Sequence, residues 1–246
     1  MPIKEKVFLI ADGETTGIGG KAYVFDFAYV IATRKRVIAE RSFLIREVLT
    51  NPRVMLGAMF NDTWRDMMGA KLFRDYIPGL NSGDMRLYGW RDMIETMRDD
   101  MLTHGVDVFS AYNLSFDMRA LATTQEFVGT PGKVLTYKPD LLCLWEFACQ
   151  TVCASRMYHR VAHELGNARG WITDAGNVRT NAEKTYAFLT GDLDFIESHT
   201  ALKDAQIETE ILQRLLAKKK RIPYNVLDHM PWRKAQNFGL VQRDLI

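Results

Sequence analysis

Four carboxylates in three short, widely separated motifs are of the right type for metal chemistry. Asp12 and Glu14 stand in Ile10-Ala11-Asp12-Gly13-Glu14-Thr15-Thr16-Gly17. Asp117 closes Ala111-Tyr112-Asn113-Leu114-Ser115-Phe116-Asp117, and Asp204 closes His199-Thr200-Ala201-Leu202-Lys203-Asp204. Two residues apart on an extended chain, Asp12 and Glu14 share one face with Cα atoms ~7 Å apart. Carboxylates that close repel each other unless a cation lies between them. Oxygen ligands of this kind suit Mg²⁺ or Mn²⁺, and a pair of such ions hydrolyses phosphodiesters. Each acid also has a commonplace role when taken singly. Asp12 and Glu14 can decorate a turn, while Asp117 and Asp204 can favour the N-terminal ends of helices.

The elements that must carry these residues follow from hydrophobic pattern. Residues 7–11 are a continuous apolar run ending in Asp12, the mark of a buried central strand. Along residues 22–32, Tyr23, Phe25, Phe27, Tyr29 and Ile31 share a face at period two, and residues 37–46 form a third strand after a polar turn. Short connections make these three antiparallel. Helical periodicity then spans 51–76, with Pro78-Gly79 as a stop, and 89–104, with Gly105 at its C-terminal end. A fourth strand is expected at 106–110, a helix at 116–126, a fifth strand at 134–137 and a helix opening at Pro139-Asp140. Residues 171–180 read as a hairpin or long loop, and 181–189 and 201–219 as helices. The sum is an α/β mixed sheet, three antiparallel strands followed by two parallel ones.

Composition sets the frame. Of 246 residues, 47% are apolar and 25% charged, as in an ordinary globular protein. A net charge of +2 announces no nucleic-acid partner, so any basic surface must come from local clusters. Three cysteines cannot form a complete disulfide framework and suit a reducing compartment; a soluble, cytoplasmic protein with no membrane segment is expected. Cys149, Cys153, His159 and His163 lack the spacing of a zinc finger and read as packed thiols and surface histidines.

Taken together, the motifs resemble the DEDDh family of 3′→5′ exonucleases, the superfamily of polymerase proofreading subunits, oligoribonuclease and ribonuclease T. The matching elements are Asp12-Gly13-Glu14-Thr15-Thr16-Gly17, then Asn113-Leu114-Ser115-Phe116-Asp117, then His199-Thr200-Ala201-Leu202-Lys203-Asp204, in family order over residues 7–215. Asp26 falls where the family often has an acid in its second strand. Gly13 replaces a larger residue, which is expected to loosen the turn, Tyr112 replaces a common His, and 140–198 has no detailed match. The resemblance implies a ribonuclease H-like fold with helices on both faces. It implies two Mg²⁺ or Mn²⁺ ions held by Asp12, Glu14, Asp117 and Asp204, with Asp12 bridging. His199 would be the general base, its ordinary pKa of about 6.5 suiting neutral pH. Thr15 and Thr16 are expected to approach the terminal nucleotide; Asn113 joins the same contact set, as does Phe116, which is either a wedge against a base or plain core.

The expected activity is release of nucleoside 5′-monophosphates from the 3′ ends of DNA, in replication or repair. The rivals are the same chemistry on RNA and a catalytically silent module that binds nucleic acid or a replication partner. Residues 1–221 would form the exonuclease domain and 222–246 a C-terminal extension. Lys218-Lys219-Lys220-Arg221 and Arg34-Lys35-Arg36 are either solvated faces or phosphate contacts. The tail Gln242-Arg243-Asp244-Leu245-Ile246 resembles the peptide by which bacterial replication proteins dock on the sliding clamp. Gln242 would be the anchor, and Asp244, Leu245 and Ile246 would follow into the pocket. A polymerase is the other protein partner such an enzyme would take.

Overall fold

A computed structural model describes residues 5–17, 21–59, 72–135, 137–218 and 221–241. The clamp-like tail, the lysines at 219–220 and residues 60–71 of the expected long helix lie outside them.

Among the described residues six strands form one sheet: β1 (Phe8–Thr15), β2 (Val24–Ala32), β3 (Val37–Ile45), β4 (Leu87–Tyr88), β5 (Val108–Ala111) and β6 (Asp140–Cys143). Their order is β4-β3-β2-β1-β5-β6. β1, β2 and β3 pair antiparallel, while β5 runs parallel to β1 and β6 parallel to β5. This is the mixed α/β sheet expected from sequence, with one addition. The two-residue β4 pairs parallel with the end of β3, too short to leave a periodic signal.

Side-chain alternation splits the core in two. Leu9 and Ala11 of β1 join Phe25, Phe27, Tyr29 and Ile31 of β2 on one face. There they meet helices α4 (Trp90–Thr103) and α5 (Leu114–Val128). Helices α1 (Arg46–Leu49), α2 (Pro52–Met59) and α3 (Ile77–Ser82) precede them in the chain. Phe8 and Ile10 with Val30 and Ala32 face the other way. That side is covered by α6 (Leu144–Ala148), α7 (Arg156–Leu165), α8 (Ala182–Thr190), α9 (Ala201–Lys218) and α10 (Trp232–Val241). Burial on both faces explains why β2 has no exposed residue.

Four sequence expectations are corrected. β1 does not end at Asp12 but runs on to Thr15, because Gly13 and Glu14 pair with Phe27 and Asp26. Gly13 therefore sits in a ladder, with no loosened turn. Pro78-Gly79 does not stop a helix; proline is tolerated in the first turn, and α3 ends instead at Gly83, whose φ is +83°. Val134, Leu135 and Tyr137, the described residues of the expected fifth strand, lie in no strand: Val134 inserts into the core without a ladder partner. Asp140 opens β6 rather than a helix, because its backbone N–H reaches the Asp107 carbonyl and extends the parallel register.

Residues 222–241 are fastened to this body. Asn225 exchanges backbone and side-chain hydrogen bonds with Leu141 and donates to Asp140 Oδ1 (3.1 Å). On α10, Lys234 pairs with the fully buried Glu146. The Gln236 amide pairs with both backbone groups of Val178 at 3.0 and 2.9 Å, as a strand would.

Candidate active site

The site forms where the far end of β1 meets the first turns of α5 and α9. Asp12 and Glu14 project from β1 with period two. Asn113 occupies the N-cap position of α5, which puts Asp117 in that helix's first turn, 9% exposed. Helix α9 lies across β1 and β2 and brings Asp204, 4% exposed, into the same space. His199 stands just before α9 with φ +55°, a left-handed conformation that swings it off the helix. One ligand atom each from Glu14, His199 and Asp204 lies within 4.8 Å of the others.

Asp12 and Asp117 join this trio through their fields. Asp12 is held well above the ordinary carboxylate range by burial, then by the charges of Glu208, Asp117, Glu14 and Asp204. Asp117 is pushed up to about 7 by burial and by Glu14, against an opposing backbone hydrogen bond. Such crowding is costly without a cation, and acidic oxygens with one imidazole form a donor set suited to Mg²⁺ or Mn²⁺. The residues present therefore fit divalent ions.

The electrostatics make a thermal prediction. Asp117 has an ordinary value of 3.8 and a folded value of about 7. The native state thus keeps a proton that the unfolded chain releases. Metal-free stability is full below pH ~4 and declines as pH rises towards 7, by on the order of a few kcal/mol from this group. Melts in EDTA should show Tm falling across that window, and excess Mn²⁺ should abolish the fall; a Tm that rises with pH in EDTA would contradict it.

Three further acids were not singled out by the motifs. Glu208 lies one turn after Asp204 on α9, buried, and accepts the Tyr112 backbone N–H at 3.0 Å. Its spacing of four from Asp204 was the available signal. Burial, then Asp117, Glu197 and Asp204, holds it well above the ordinary range. Glu197 Oε2 lies 3.9 Å from His199 Nδ1, and Glu183 accepts the Glu197 backbone N–H at 3.0 Å.

Asp26 has a structural task. Buried at 2% exposure, its Oδ2 accepts the Tyr76 hydroxyl (2.9 Å) and the Ala201 backbone N–H (3.2 Å) at the start of α9. Asp26→Ala should cost about 1–3 kcal/mol for each donor left buried and unsatisfied. It should also reduce turnover by unfixing the segment that carries His199 and Asp204. Asp26→Asn keeps an acceptor oxygen and should recover most of the Tm; a melt of the two variants separates them.

The other expected contacts are distributed unevenly. The Thr16 hydroxyl accepts the Tyr23 backbone N–H (3.2 Å), and the Thr15 hydroxyl donates to the Gly17 carbonyl (2.8 Å), so both close the β1–β2 turn. Phe116 is half-buried against the core, with the Arg119 guanidinium 5.8 Å from its ring centre. Tyr112 is buried, its hydroxyl placed between the Thr180 carbonyl (2.6 Å) and Thr185 Oγ1 (2.7 Å). Cys149 and Cys153 are buried, and His159 Nε2 lies 3.1 Å from the Ala235 carbonyl. No described helix is long and apolar enough to cross a membrane.

No protein-family model matches the sequence, and no curated protein sequence does. Solved structures do match. The nuclease domain of 3′hExo bound to rAMP, a DEDDh family member, aligns over 91% of this chain and 98% of its own at a TM-score of 0.52. The chain shares the fold of that domain. A full-length 3′-exonuclease aligns over 93% of this chain and 89% of its own, with a TM-score of 0.53. Cell-death related nuclease 4 (CRN-4) aligns over 90% and 67%, at 0.50. Identities of 10%, 11% and 14% make these likenesses of fold. In this fold the acidic cluster lies at the end of β1 and on the first turns of α5 and α9.

Proposed function

We propose that this protein is a metal-dependent 3′→5′ exonuclease that releases nucleoside 5′-monophosphates from the 3′ ends of DNA. The reading is supported by the convergence of Glu14, His199 and Asp204 within 4.8 Å, beside Asp12 and Asp117, on a DEDDh-type fold. Asp12, Glu14, Asp117 and Asp204 would hold two divalent ions. When bound, these activate a water and stabilise the leaving 3′ oxygen. His199, exposed at the rim with the Glu197 carboxylate behind it, takes the proton from that water. Thr15 and Thr16 hold the β1–β2 turn against which the terminal nucleotide lies, and Asn113 and Phe116 flank Asp117. Residues 1–221 carry this chemistry, and the extension after them braces the body; it ends in the clamp-like residues Gln242, Asp244, Leu245 and Ile246. The setting is cytoplasmic DNA replication or repair.

RNA is the second reading, since the 3′hExo nuclease domain was solved with rAMP. The decisive experiment gives the purified protein 5′-labelled single-stranded DNA and RNA side by side, with Mg²⁺ and with Mn²⁺. A ladder shortening from the 3′ end of DNA is expected. Preferential shortening of RNA moves the substrate, and intact strands under all four conditions end the enzymatic reading.

A further inference from the structure

Near the acidic cluster lies a second constellation, which shares only Asn113 with the proposed chemistry. A cleft of about 450 Å³ opens between the turn after β5, the 173–181 loop and the start of α10. We propose that this cleft is a nucleobase subsite for the substrate strand, upstream of the linkage being cut. The inference rests on the nuclease reading for its choice of ligand.

Its composition is the first argument. Trp145, Trp232, Arg179, Asn113, Asn177 and Asn181 all line it. Trp90 and Trp171 are fully buried, as structural tryptophans are, whereas Trp145 and Trp232 are only half-buried and contribute to an open cleft. Indole rings stack on any base, and carboxamides offer a donor and an acceptor to a base edge. A guanidinium serves a phosphate or stacks on a ring.

The second argument is that the backbone of the walls is held while three of their polar tips are unpaired. Trp145 Nε1 donates to Thr180 Oγ1 (2.7 Å), which fixes the indole. The Arg179 backbone is held from both sides: its N–H reaches the Trp171 carbonyl (2.8 Å) and its carbonyl accepts the Tyr158 hydroxyl (2.6 Å). Val178 is clamped by Gln236. Yet the Arg179 guanidinium and the Asn177 and Asn181 carboxamides make no hydrogen bond or ion pair among the described residues. The backbone that carries these unpaired groups is ordered on folding, which lowers the cost of presenting them to a ligand.

Position selects a strand over a free small molecule. Asn113 lines the cleft and also precedes α5, four residues before Asp117, about 6 Å along the helix axis. The cleft therefore begins about one helical turn from Asp117. The same turn is tied to α9 through Tyr112 N–H and Glu208.

The test uses binding as well as turnover. In an Asp12→Asn background, which leaves the strand uncut, anisotropy of a fluorescein-labelled DNA oligonucleotide with Mn²⁺ reports affinity. Arg179→Ala and Trp232→Ala should each weaken binding roughly 5- to 100-fold, and Trp232→Phe should recover most of it. In the otherwise wild-type enzyme, both alanine variants should lose at least about tenfold more kcat/KM on the oligonucleotide than on p-nitrophenyl thymidine 5′-phosphate, which has no upstream nucleotide. Arg179 guards against misfolding as an explanation, since its guanidinium makes no hydrogen bond or ion pair among the described residues. Oligonucleotide affinity unchanged in both variants, equal losses on both substrates, or no binding by the parent overturns the subsite. Cleft-dependent binding without hydrolysis of either substrate leaves the subsite standing and removes the nuclease reading instead.

Discussion

Asp12→Asn should remove hydrolysis of a 3′ end while making the metal-free protein more stable. Asp12 feels four other acids, Glu208, Asp117, Glu14 and Asp204, together. Asparagine keeps its shape and one acceptor oxygen but removes the charge a metal needs. Loss of an electrostatic element of this kind lowers turnover by at least about 10²–10³-fold, and loss of a bridging ligand should exceed that. Asp12→Ala should be equally inactive. In EDTA at pH 7.5 the asparagine variant no longer opposes its neighbours, so its Tm should rise by several degrees, the usual conflict between function and stability at a charged site. Excess Mn²⁺ should raise the wild-type Tm more than the variant's, reversing the order. Paired melts with and without metal, beside a labelled-strand assay, read all of this. A variant that keeps wild-type turnover, or melts lower than wild type in EDTA, contradicts the assignment.

His199→Ala should divide the two roles open to an imidazole in this position. The ring is close enough to Glu14 and Asp204 to act as a ligand, and Glu197 lies behind it at 3.9 Å. As a general base, its loss lowers kcat by about 10²–10⁴-fold and changes Mn²⁺ affinity little. As a ligand, its loss weakens Mn²⁺ in proportion to the rate. The first outcome is expected, because His199 is 43% exposed at the rim while the acids are deeper. Added imidazole should restore part of the rate in the alanine variant. Calorimetric Mn²⁺ titration beside single-turnover kinetics decides between them. The fold should be unaffected, since the left-handed backbone at 199 is set by the chain entering α9 and the side chain buries little.

Much of the scaffold was readable from pattern. The period-two aromatics of β2 and the apolar run of β1 each have one physical solution in a sheet covered on both sides. The 89–104 helix was bounded correctly because Gly105 supplies a left-handed residue, φ +61°, just past its end. Misreadings came where local signal and tertiary context part. Val134, Leu135 and Tyr137 look like a strand because they are apolar and β-prone, yet they fill a core gap with no ladder beside them. The strand next to β5 is Asp140–Cys143, preceded by a proline that resembles a helix start. The short β4 exists only because the end of β3 offers an unpaired edge.

The sequence by itself determined which side chains are able to do chemistry and on which elements they ride. Asp12 and Glu14 share a face because strands have period two, and Asp117 and Asp204 open helices because their motifs precede helical periodicity. It could not determine which of these meet, since contacts between residues 14, 117 and 204 depend on how α5 and α9 cross the sheet. Only the tertiary structure placed Glu14, His199 and Asp204 within one ligand sphere, added Glu208 from the next turn of α9, and made Asp26 the anchor for the start of that helix. Only it gathered Trp145, Arg179 and Trp232, far apart in the chain, around one cleft. The physical reason is the same throughout: periodicity is local and leaves its mark in a window of residues, whereas a site is an intersection of elements and leaves none.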